Sequence, residues 1–168
     1  MFALKSAPAG SKSELYSGLL EQARGLLTGE RDRIANAANI AALIYHTLPD
    51  LNWAGFYWMK GGELVLGPFQ GKPACVRIAL GRGVCGTAAR DRKSIVVPNV
   101  HEFPGHIACD SASNSEVVVP IRHSREGGNP DDVVGVLDLD SPSVNRFDAV
   151  DARHLEALVA LFIESTDL

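Results

Sequence analysis

NWAGFYWMKGGELVLG, residues Asn52–Gly67, is where the periodicity of this chain changes from helical to extended. Trp53, Gly55, Tyr57 and Met59 fall on one face of an extended strand, and Ala54, Phe56 and Trp58 fall on the other. The pair Gly61-Gly62 separates this run from ELVLG, and a two-residue glycine loop between apolar runs predicts a tight hairpin.

Upstream of the hairpin the pattern is helical. Leu15, Leu19, Leu20, Ala23, Leu26 and Leu27 predict a helix from Ser13 to about Leu27. A second helix is expected from about Glu30 to Thr47, with Ile34, Ala37, Ala41, Ile44, Tyr45 and Leu48 on its apolar side, ending before Pro49. Downstream, ACVRIAL, SIVVP, EVVVPIR and VVGVLDLD read as four more strands, with a short helix in GVCGTAARDRK between the first two of them. Phe147, Val150, Leu155, Leu158, Val159 and Phe162 mark a closing amphipathic helix to about Glu164. This order predicts an α+β fold, an α/β three-layer arrangement in which helices flank a mostly antiparallel six-stranded sheet. One domain is expected over residues 13–168, with 1–12 as an N-terminal extension and His123–Asp132 (HSREGGNPDD) as an exposed hairpin loop.

Composition narrows the function classes. The 168 residues suffice for one core without disulfide staples. No apolar run approaches the roughly 20 residues of a membrane-spanning helix, and MFALKSAPAGSKSELY does not resemble a secretory signal. A cytoplasmic protein is expected. A net charge of -4 with scattered basic residues argues against a phosphate-backbone binder, so no nucleic acid is expected as a partner.

The three cysteines are an odd count, which excludes a fully paired framework and leaves packing, metal-binding and redox roles open. Cys109 lies in GHIACDSASNSEVVVP among small and polar residues, unlike a thiol kept for packing. Cys85, in GRGVCGTAAR, sits near a predicted helix start and Arg82, both of which favour thiolate, so local electrostatics make it the best nucleophile. Its bland alternative is a small residue packing a helix onto the sheet. Cys75 is expected to open the strand ACVRIAL at a sheet end. His101, His106 and Cys109 are clustered, but gaps of 10 and 24 residues between cysteines do not match paired zinc ligands.

In VVGVLDLD, Asp138 and Asp140 share one face and Leu137 and Leu139 the other. Two such carboxylates at a strand end could bind a cation or, if desolvated, hold and donate a proton; equally, Asp140 could cap the following turn. Glu116 is a third acidic candidate. Trp53 and Tyr57 could enclose a small apolar or sulfur-containing group or could simply be core.

Together NWAGFYW, LVLGPFQGKPACVRI, GRGVCGTAA, GHIACDSASNSEVVVP and GVLDLDSP resemble the free methionine-R-sulfoxide reductases, which have a GAF-type fold. The resemblance runs from about Leu15 to the last helix and includes all three cysteines. Generic GAF sensor domains, the alternative class, share the order of elements but lack the FQGKPAC and HIACD strings. The resemblance implies a GAF-like six-stranded antiparallel sheet flanked by helices, a homodimer, reduction of free methionine-R-sulfoxide, and thioredoxin as external reductant with no bound metal or organic cofactor. It implies Cys109 as nucleophile, Cys75 as the cysteine that resolves it and Cys85 as an auxiliary thiol, reversing the electrostatic preference for Cys85. It also implies Trp53 and Tyr57 around the substrate's methyl end, and Glu116, Asp138 and Asp140 as the acidic substrate-binding set, with Glu116 and Asp140 catalytic. The His123–Asp132 loop is longer than the hairpin turn the family uses there.

Overall fold

The computed structural model describes residues 10–107, 110–122 and 132–168. Residues 1–9, Ala108, Cys109 and His123–Asp131 therefore lie outside the described residues, and with them the thiol expected as nucleophile and nearly all of the expected hairpin loop. Helices α1 (Lys12–Leu27) and α2 (Arg33–Thr47) precede strands β1 (Trp53–Lys60), β2 (Glu63–Gly71) and β3 (Arg77–Ala79). Helix α3 (Gly83–Asp91), β4 (Ile95–Val97), a 3-10 turn at Val100–Glu102, β5 (Ser115–Arg122), β6 (Val133–Ser141) and α4 (Ala149–Ser165) complete the chain.

The helix starts follow capping chemistry. Ser11 and Asp148 each form a reciprocal capping box, with Glu14 and Asp151 respectively, and Asp32 accepts from the amides of Ile34 and Ala35. Ser11 and Lys12 are thus part of the ordered first helix. Lys12 ties α1 to α4 by ion pairs to Asp148 and to the fully buried Asp151, which also accepts from the Tyr16 hydroxyl at 2.8 Å and from Arg146 at 3.1 Å.

The six strands form one antiparallel sheet in the order β3-β2-β1-β6-β5-β4. The β1–β2 hairpin closes through Gly61 and Gly62, both at positive φ (60° and 86°), the two-residue turn that matches strand twist. Ala54, Phe56 and Trp58 of β1, Val117, Val119 and Ile121 of β5, and Leu137 and Leu139 of β6 pack beneath α1, α2 and α4. On the opposite face Trp53, Tyr57, Val118 and Val136 meet Val84, Cys85, Ala88 and Ala89 of α3. The sheet is the middle of three layers.

Two strand boundaries and one helix face depart from the sequence reading. β2 runs on to Gly71 past Pro68, which sits where the β1–β2 register slips by one residue between Gly55 and Tyr57; a bulge excuses proline's missing N–H. The third strand is only Arg77–Ala79, because its ladder pairs no farther than Glu63–Val65 of β2, so Cys75 lies in the loop before the strand and does not open it. In α2 the buried face carries Asn36, Ile40 and Leu43 besides the expected alanines and Ile44, whereas Ile34 is half exposed on the first turn. Asn36 is buried because its amide donates to Glu30 and Ser165 carbonyls and to the Thr166 hydroxyl.

Candidate active site

Strand register builds the site. Trp53 of β1 lies opposite Asp140 of β6, and Asp140 lies opposite Glu116 of β5. The next row on this face is Gly55, Asp138 and Val118, and the one after it holds Tyr57, Val136 and Pro120. Adjacent strands are about 4.8 Å apart, so this pairing alone collects three carboxyls and two aromatics over a few square turns of sheet. Side chains of alternating parity send Leu137 and Leu139 to the helical core and leave Asp138 and Asp140 facing the cavity.

Trp53 stacks on Tyr57 at 5.8 Å and on Phe69 at 5.3 Å between ring centroids, and its indole N–H donates to the Lys72 carbonyl at 3.2 Å. Gly55 permits this: a Cβ there would come 2.6 Å from the far edge of the Trp53 ring. A cavity of about 40 Å³ is bounded by this aromatic wall, by Cys85 from α3, by His106 and Ser113, and by the carboxyls of Glu116, Asp138 and Asp140.

Burial sets the protonation of this floor. Desolvation, followed by the charges of Asp138 and Asp140, holds the Glu116 carboxyl well above its ordinary range. Desolvation, with Asp138 and Asp110 beside it, does the same to Asp140. Asp138 rises to about 7, again through desolvation, while contacts from Cys85 and Glu116 oppose the rise. All three carboxyls thus hold their protons more tightly than exposed carboxyls do. His106 Nε2 stands 3.8 Å from Glu116 Oε2, and burial and the neighbouring His101 lower the imidazole's pKa, which weakens this contact as an ion pair.

The electrostatic preference for Cys85 is overturned. Its thiol is 4% exposed, and burial with the charges of Asp138 and Glu116 raises its pKa well above the ordinary value. The start of α3 has no side-chain cap and Arg82 is exposed, but neither offsets the acidic floor against which the sulfur lies. Cys85 Sγ is 3.9 Å from Glu116 Oε1 and keeps a free thiol. Cys75, half-buried at the edge of the aromatic cluster, is disulfide-bonded.

Sequence reasoning missed the clasp that joins Asn52, Lys72, Asp110 and Ser113. Asn52, at the entry to β1, donates to Asp110 at 3.2 Å and to Ser113 at 3.0 Å; Asp110 also accepts from the Ala112 amide and pairs with Lys72 at 3.5 Å. Asp110 follows Cys109 directly and Lys72 lies three residues before Cys75, so adjacency to the thiols was the available signal. The structure brings Trp53, Tyr57, Cys85, Glu116, Asp138 and Asp140 to one cavity. Cys85, Glu116 and Asp138 each offer a ligand atom within 4.8 Å of the others, the one such cluster of metal-ligating side chains among the described residues. His101 is exposed and hydrogen-bonds Asn114 at 2.8 Å instead of joining it.

The GAF domain family matches residues 35–162. Over 150 residues the chain is 48% identical to the free methionine-R-sulfoxide reductase of Escherichia coli, covering 89% of this chain and 87% of that protein. It is 43% identical over 162 residues to the enzyme of the same name from Saccharomyces cerevisiae, covering 92% and 87%. The X-ray structure of free methionine-R-sulfoxide reductase from Neisseria meningitidis in complex with its substrate superposes with a TM-score of 0.90 at 40% identity, covering 98% of this chain and 95% of that one.

Proposed function

We infer that this chain, which belongs to the free methionine-R-sulfoxide reductase family of GAF domains, reduces the R epimer of free methionine sulfoxide to methionine. The observation that carries the reading is the row Trp53, Asp140, Glu116 with Asp138 diagonal to it: buried carboxyls of raised pKa face an aromatic wall in one cavity.

In the proposed cycle the Cys109 thiolate attacks the sulfoxide sulfur while Glu116 or Asp140 donates a proton to the sulfoxide oxygen. Oxygen transfer gives methionine and the Cys109 sulfenic acid, with one proton consumed. The Cys75 thiol then condenses with the sulfenic acid, releasing water and forming a disulfide that thioredoxin reduces by exchange. Cys75 being disulfide-bonded while Cys85 stays a free buried thiol supports Cys75 as the resolving residue. The Trp53–Tyr57 pair offers polarizable faces to the substrate's S-methyl group. The ionised member of the acidic set attracts the ammonium of a free amino acid, a charge that a peptide nitrogen lacks.

We extend the proposal to a cytoplasmic homodimer. None of the described helices is long and apolar enough to cross a membrane. The test is thiol accounting: the reduced protein is incubated with free methionine-R-sulfoxide, and methionine and remaining thiols are counted. Two thiols lost per methionine formed is the expected result. Binding without thiol loss would make the chain a small-molecule sensor, and equal use of peptide-bound methionine sulfoxide would remove the selectivity argument.

A further inference from the structure

We propose that Cys85, Glu116 and Asp138 form a binding site for a thiophilic divalent cation of the Zn²⁺ type, which occupies the cavity floor and competes with substrate. The binding claim stands on geometry alone. The competition claim rests on the function proposed above.

The three ligand atoms lie within 4.8 Å of one another, and the Cys85 Sγ to Glu116 Oε1 separation is already 3.9 Å. A tetrahedral zinc centre with bonds of about 2.0 Å to oxygen and 2.3 Å to sulfur holds its donors roughly 3.3–3.6 Å apart. Small rotations of Glu116 and Asp138 close the difference. All three side chains are buried, and they come from three different elements, α3, β5 and β6, that pack on one another, so the donors are held by the fold and not by a mobile loop.

Asp138 carries the independent sign of a ligand. It is 6% exposed, it lines the cavity, and its Oδ1 has no hydrogen-bond partner among the described residues. A buried carboxylate oxygen without a partner costs free energy until something supplies positive charge or a proton. His106 Nε2, 3.8 Å from Glu116 Oε2, is not part of that three-residue group, so water would take the fourth position. The cavity of about 40 Å³ has room for an ion and a water. A sulfur with two carboxylates selects Zn²⁺, Co²⁺ or Cd²⁺ over Mg²⁺ and Ca²⁺, which prefer sets of oxygens. Coordination displaces the thiol proton and any carboxyl proton to solvent. It also removes the proton donor Glu116 from the reaction and fills the space beside Trp53 and Tyr57.

Co²⁺ is the probe, in protein carrying Cys75→Ser and Cys109→Ser so that Cys85 is the sole thiol. One equivalent should bind with a sulfur-to-cobalt charge-transfer band in the near ultraviolet and tetrahedral bands in the visible. Zn²⁺ should bleach both, and millimolar Mg²⁺ neither. Adding Cys85→Ser should abolish the charge-transfer band, and Asp138→Asn should weaken binding at least ~10-fold. Absence of the band, or its survival in Cys85→Ser, overturns the site, as does unchanged affinity in Asp138→Asn. If the doubly substituted protein does not fold, the same titration on the reduced wild type against Cys85→Ser decides. In steady-state reduction by the wild type, Zn²⁺ should raise the apparent KM for sulfoxide; cobalt binding without such inhibition overturns the competition. Cobalt binding in a protein that forms no methionine would retain the metal site and sink the proposed function instead.

Discussion

Asp138→Asn should make the substrate-free protein more stable, and by an amount that grows with pH. The carboxyl is 6% exposed, and burial lifts it from an ordinary 3.8 to about 7. At about 1.4 kcal/mol per pH unit, that rise is worth about 4 kcal/mol in total. A folded-state pKa above the unfolded one means that the folded protein binds the proton more tightly. The resulting stability is fully present below pH about 4 and is lost as pH rises through about 7. At pH 8 the wild type therefore folds around an ionised, partly unpartnered carboxylate, whereas the amide stays neutral and nearly isosteric. Roughly 2.5 kcal/mol of the loss falls between pH 5 and 8. Losing the Asp138 charge also lowers the pKa of Glu116 and of Asp140 in the variant, which acts in the same direction. Urea unfolding of reduced wild type and Asp138→Asn at pH 5 and pH 8, with unchanged slopes, reads the effect directly. The variant should gain about 2–3 kcal/mol relative to wild type between the two pH values. A gap independent of pH, or one that moves the other way, would show that the cavity floor is not the strained, desolvated cluster described above. The same substitution should weaken binding of free methionine sulfoxide, since the charge that destabilises the empty fold is the one offered to the ammonium.

Cys109→Ser should abolish even one turnover, whereas Cys75→Ser should release one methionine per chain and then stall with thioredoxin as reductant; sustained turnover of Cys75→Ser would remove its resolving role. Asp140→Asn should slow methionine formation on the order of 100-fold, within the range of lost general-acid catalysis, while leaving the rate of thiol alkylation much less affected. An unchanged single-turnover rate would exclude Asp140 as the proton donor. On the far side of the sheet, Asp151→Ala should cost about 3–5 kcal/mol, because Arg146 and Lys12 lose a buried counter-charge and Tyr16 its acceptor. A variant whose urea midpoint is unchanged would refute that accounting.

The sheet was legible because β1 and β6 announce it in alternation. Parity alone placed Trp53 and Tyr57 with each other and Asp138 with Asp140, on the faces the structure gives them. Register between strands was not legible, and register is what joins the two sets: Trp53 faces Asp140 and Asp140 faces Glu116 only because the β1–β6 and β6–β5 ladders align so. Cys85 shows the same limit from the other side. Within GRGVCGTAAR its neighbours are glycines and an arginine at a helix start, and those suggest an activated thiol. Its controlling neighbours are Asp138 and Glu116, 53 and 31 residues downstream, and they reverse the sign. Local charge at a helix end is worth a fraction of a kcal/mol when solvated, whereas burying a thiolate against carboxyls costs several times that. A thiol's reactivity is thus decided by whichever strand the helix packs against, and for Cys85 the packing of α3 on β5 and β6 makes it a protonated wall of the cavity.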